Sequence, residues 1–103
     1  MRRNRDGDEM ERVGLLAIDR RAQRVFVGSE LLELPAREFE VLAELMTPPG
    51  RVVSKQALSD KLSGLDDALG ANALEAFISR LRKKLANSGA GIRTLRGLGY
   101  VLE

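Results

Sequence analysis

The sequence predicts an α+β domain: a meander of short strands, then three helices, then a terminal hairpin. Three observations carry this. Residues 13–34 alternate short apolar runs with turn residues. Two later segments, 36–46 and 72–85, place apolar residues at helical spacing. The last eleven residues before Glu103 are two apolar runs around Arg96-Gly-Leu-Gly99. A chain of 103 residues is one domain, large enough to bury a core without covalent staples.

Residues 1–12 are polar and charged, without periodicity, and read as a disordered lead-in or linker remnant; residues 13–103 read as the domain. Gly14 to Ile18, Arg24 to Val27 and Glu30 to Leu34 are strand-like, separated by Asp19-Arg-Arg21 and Gly28-Ser29. Ala36 to Met46 is a helix whose stripe is Phe39, Leu42, Ala43 and Met46, with Arg37 and Glu38 on the outer surface and Pro35 in its first turn. Thr47-Pro-Pro-Gly50 ends it, because proline offers no N–H and collides with the preceding turn. Arg51 to Val53 is a short extended stretch, and Ser54 caps a second helix over 55–62. Residues 63–70 are a loop. The third helix spans 72–85, with Leu74, Phe77, Ile78, Leu81 and Leu85 on one face and Asn72, Ala76, Ser79 and Lys83 opposite. Asn87 to Gly91 ends it with residues that tolerate a left-handed backbone. Ile92 to Leu95 and Tyr100 to Leu102 form the closing hairpin.

Composition narrows the function classes. The chain has no Cys and no His, which removes disulfides, thiolate metal sites and the usual general base. Its opening residues lack the apolar run of a secretory signal, and no stretch approaches the ~20 apolar residues of a membrane span. These features favour a cytoplasmic protein. The net charge of +2 is unevenly spread: from Arg80 onward six Lys/Arg face one acid, a local +5, while the preceding 79 residues carry −3. Such asymmetry fits an anionic partner at one end, but it also fits a solvated helix whose basic end complements its dipole. Glu38, Glu40 and Glu44 form no acid–base pair, and Asp66 with Asp67 lack the further ligands a metal needs. We expect no enzyme activity and no cofactor.

The second and third helices with their loop make a helix-turn-helix-like unit, and the hairpin beside it is a wing. Four motifs in order, Leu34-Pro-Ala-Arg-Glu-Phe39, Pro49-Gly-Arg-Val-Val-Ser54, Ile78-Ser-Arg-Leu-Arg-Lys-Lys-Leu85 and Ile92-Arg-Thr-Leu-Arg-Gly-Leu-Gly-Tyr100, resemble the OmpR/PhoB-type winged-helix effector domain of bacterial two-component response regulators. The likeness covers residues 13–103. It implies a four-stranded N-terminal antiparallel sheet, a three-helix core and a C-terminal β-hairpin wing. It also implies binding of double-stranded DNA for transcription regulation, with two copies on tandem direct repeats and a monomer when alone. The receiver domain would be a partner within a longer protein, and the loop 63–71 is where family members touch RNA polymerase. The chain departs from the family pattern in having Pro35 at a usual Thr or Ser position, Ala57 for a capping Glu, and a short 63–71 loop.

On this reading the helix 72–85 enters the major groove and reads bases with Arg80, Ala76 and Ser79, while Asn72, Arg82 and Lys83 position it on phosphates. The wing, 92–102, carries Arg96 into the adjacent minor groove, and the resemblance assigns Thr94 a backbone contact. The rival reading is a winged helix that presents the same basic face to an acidic protein surface of a receiver domain or polymerase.

Overall fold

The computed structural model describes residues 10–62 and 70–103, with only the backbone described at residues 10 and 70–72. The element order is β1 (Met10–Val13), β2 (Leu16–Asp19), β3 (Arg24–Val27), β4 (Glu30–Leu32), α1 (Ala36–Leu45), α2 (Lys55–Leu62), α3 (Gly70–Lys84), β5 (Ile92–Leu95) and β6 (Gly99–Leu102). The strands form a four-stranded antiparallel meander in the order β1-β2-β3-β4 and a separate β5-β6 hairpin. Residues 10–12, expected in the lead-in, belong to β1 and pair with β2 in the register Glu11–Ile18 and Arg12–Ala17. Pairing to a strongly apolar neighbour overrides the weak local pattern of Met-Glu-Arg-Val. Residues 63–69, including most of the expected loop, lie outside the described residues.

The core lies where the meander meets the helices. Leu16, Ile18 and Val25 from the sheet pack with Phe39, Leu42 and Leu45 of α1, Leu58 and Leu62 of α2, and Leu74, Ile78, Leu81 and Leu85 in and just beyond α3. Each such side chain contributes roughly 1.5–3 kcal/mol through removal of apolar area from water. The buried face of α1 is wider than the expected stripe: Phe39, Leu42 and Met46 are buried as expected, and Ala43 packs against the core. Val41 and Leu45 are fully buried, so the inward face includes positions 38, 41, 42 and 45. Glu38 is therefore buried at 4% exposure, not on the outer surface, and Arg37 is half-buried, its Nη1 donating to the Leu62 carbonyl at 2.9 Å. Pro35 stands at the N-cap position of α1 and supplies no side-chain cap. Ser54 does cap α2, its Oγ accepting the Ala57 N–H at 3.0 Å.

Backbone pairing joins the hairpin to the start of α2. Val53 N donates to Tyr100 O at 2.8 Å and Tyr100 N to Val53 O at 2.9 Å, while Gly50 N donates to Leu102 O at 2.8 Å. The extended stretch 51–53 thus sits beside β6. Next to this bridge Gly99 has φ +142°, and a Cβ there would lie 2.1 Å from the Val53 carbonyl oxygen. The broken alternation of Ile92 and Leu95 also resolves: Ile92 is buried in the core, whereas Leu95 lines a groove with Ser54, Lys55 and Leu98.

Gly99→Ala should destabilise the domain by about 3 kcal/mol or more, since it combines a disfavoured backbone region with a clash against backbone. Gly97, at φ +77° with open space around it, should cost only about 1–2 kcal/mol when replaced by Ala. Thermal unfolding followed by circular dichroism compares the two; equal, small shifts would contradict the close approach at Val53.

Candidate nucleic-acid interface

The exposed face of α3 follows from burial of the other. With Leu74, Ile78 and Leu81 inward, Glu75, Ala76, Ser79, Arg80, Arg82 and Lys83 are exposed. Asn72 belongs to the first turn of α3, but its side chain is not among the described ones. Ala76 and Ser79 are small, so the backbone of α3 can approach a partner closely along this line.

The four basic residues of the run behave differently. Lys84 turns towards α1, its Nζ 2.8 Å from Oε1 of Glu38. Arg80 approaches the other carboxylate oxygen through Nε at 3.6 Å and lies over the Phe77 ring, its guanidinium carbon 4.9 Å from the centroid. Its side chain remains half exposed. Arg82 reaches the hairpin: Nε donates to the Ile92 carbonyl at 2.9 Å and Nη2 to Thr94 Oγ1 at 2.8 Å. Lys83 makes no ion pair or hydrogen bond among the described residues. A basic last turn also complements the negative end of the helix dipole.

Arg82 and Thr94, expected as separate backbone contacts, are therefore tied to each other, and they join the exposed helix face to the hairpin. The Thr94 hydroxyl accepts from Arg82, which leaves its own proton to donate elsewhere. At the tip, Arg96, Gly97 and Leu98 are exposed, Leu98 at 65%. Arg96 has no partner among the described residues. It lines a groove of about 310 Å³ with Ser54 and Lys55, so a further cation at the start of α2 stands near the tip. Nothing in the local sequence singled out Lys55; only the Val53–Tyr100 bridge brings it there. Arg93 on β5 is paired with Glu103, which offsets its charge. Among the described residues no group of His, Cys, Asp or Glu could hold a metal ion, and no helix is long and apolar enough to cross a membrane.

The result is an unpaired or half-free cation at each of three places: Arg80 and Lys83 along the helix, and Arg96 at the tip. Their association with a bare helix face is the geometry of a polyanion reader.

Known proteins are similar to this chain in sequence and fold. Residues 28–102 match the family described as transcriptional regulatory protein, C terminal. A probable transcriptional regulatory protein, y4xI, of Sinorhizobium fredii is 42% identical over 92 residues, which cover 87% of this chain and 41% of that protein. The chain thus spans about two-fifths of the length of this relative. The Klebsiella pneumoniae RstA DNA-binding domain, solved in complex with the RstA box, is 33% identical with a TM-score of 0.73, covering 90% of this chain and 95% of that one. The DNA-binding domain of CpxR from E. coli is 34% identical with a TM-score of 0.74, covering 90% and 94%. The α+β architecture expected from the sequence, four-stranded sheet, three helices and hairpin, is the one observed, and the chain belongs to the OmpR/PhoB-type family of winged-helix DNA-binding domains of response regulators.

Proposed function

We propose that the domain binds double-stranded DNA sequence-specifically by laying α3 in the major groove and the tip of the β5–β6 wing in the neighbouring minor groove. The observation that carries this is the Arg82–Thr94 contact, which makes the exposed face of α3 and the wing one continuous surface. A major groove about 12 Å wide admits a helix, and the small Ala76 and Ser79 let α3 sit deep in it. Arg80 and Ser79 then meet base edges, and Ala76 meets a thymine methyl. Asn72, Arg82 and Lys83 lie against phosphates, with the Thr94 proton directed to a phosphate oxygen. Arg96 enters the minor groove, where a narrow A·T-rich segment concentrates negative potential.

Likeness to longer regulators supports a place as the effector domain of a cytoplasmic two-component response regulator, governed by a receiver domain. Two copies occupy tandem direct repeats, and the isolated domain is a monomer. The 63–71 segment is the candidate contact to RNA polymerase.

Arg80→Ala should cost about 1–3 kcal/mol in DNA affinity and relax discrimination at one base position. Lys83→Ala should weaken all sequences about equally and lower the salt slope of binding by about 1. Electrophoretic titrations at two salt concentrations on duplexes selected from a random pool measure both. Binding that vanishes near physiological salt with no preferred duplex would favour the protein-interaction reading instead. Arg96→Ala should remove the preference for A·T pairs flanking the major-groove site; an unchanged preference there would exclude minor-groove entry of the tip.

A further inference from the structure

Glu38 is a carboxylate within the core, its side chain 5% exposed, on a helix that does not belong to the proposed DNA surface. A buried carboxylate requires an opposite charge and a hydrogen bond, and Lys84 Nζ supplies both at 2.8 Å. Arg80 is therefore not needed to neutralise it. Yet the second oxygen holds Arg80 at 3.6 Å, and the approach is by Nε, the nitrogen nearest the main chain. Phe77, half-buried on the preceding turn of α3, supports the flat face of the same guanidinium. A planar cation held at its base and on its face keeps its two terminal nitrogens for a ligand. A paired acceptor such as a guanine edge requires that fork to be aligned in advance.

We propose that Glu38 is a positioning residue for base selection: from α1 it holds Arg80 over the Phe77 ring, so that the guanidinium fork is set before DNA arrives. Two cations around one carboxylate leave the cluster positive, so Glu38 does not repel the phosphates. Ordering the long Arg80 side chain beforehand also lowers the entropic cost of the contact, and it does so only for the base whose edge matches the preset fork. The inference rests on the reading of Arg80 as a base contact.

The test uses the full chain and a duplex recovered by the wild-type chain from a random-sequence pool, together with its single-base-pair variants. Glu38→Gln, Arg80→Ala and the double variant are titrated against the set, with circular dichroism confirming the fold. Glu38→Gln should lower discrimination at the position that Arg80→Ala identifies by about three- to tenfold, the size of a coupling between contacting side chains, and should add nothing in the Arg80→Ala background. An equal loss on every duplex, unchanged discrimination, or an effect that persists without Arg80 would each overturn the proposal. If Arg80→Ala leaves discrimination intact, the base-contact reading fails and this inference fails with it; if only Glu38→Gln does so, the positioning role alone is lost. Should Glu38→Gln not fold, Phe77→Leu carries the test: it removes the supporting ring, should relax the same position, and overturns the proposal if it does not.

Discussion

Two hydrogen bonds between Val53 and Tyr100 decide where the wing sits, and the DNA-binding surface depends on that placement. They attach β6 to the residue before the Ser54 cap, so the start of α2 and the wing become one unit. Gly99 is the condition for this contact, because any side chain there would meet the Val53 carbonyl. On the opposite strand, Arg82 clamps β5 to α3 through Ile92 and Thr94. A hairpin of two short strands is marginal in water, and these attachments from both sides are what hold it at a fixed angle to the helix. The N-terminal meander has a parallel attachment: Leu15 N donates to Ser88 O at 2.7 Å, and Gly14 lies against the same carbonyl.

The basic end of the chain is less uniform than its charge indicates. Lys84 is spent on the core, Arg93 on Glu103, and Arg82 on the wing. Beside the tethered Arg82, which meets phosphates from a fixed position, what remains for a polyanion is Lys83, Arg96, the half-exposed Arg80 and Lys55 at the mouth of the groove. Affinity from phosphates would then rest on few unpaired cations, and the paired ones would act mainly by fixing geometry. That division assigns positioning to Arg82 and reading to Arg80.

The fold was legible because periodicity and turn residues agreed along most of the chain. Ser54, the apolar line from Leu74 to Leu85 and the glycines of the tip each announced their roles. Two features escaped for physical reasons. Strand β1 carries charged residues, and only its pairing with Leu16–Asp19 makes it a strand. Glu38 lies on a buried face that is wider than the Phe39–Met46 stripe and extends through Val41 and Leu45. Counting back from Val41, Leu42 and Leu45 by helical spacing does reach position 38, so the signal was present. The Arg82–Thr94 contact and the proximity of Lys55 to Arg96 depend on tertiary distances that no local pattern contains. The eight proposed contact residues lie in two segments, and both are set by the elements that carry them.

The central claim is that one face of α3 occupies a major groove while the wing tip occupies the adjoining minor groove. Methylation interference on a selected duplex addresses both grooves at once, since guanine N7 lies in the major groove and adenine N3 in the minor. The account predicts interference at guanine N7 in a short cluster, with interference at adenine N3 displaced by about half a helical turn of ~10 base pairs. Binding that tolerates both modifications and responds only to altered phosphates would contradict it.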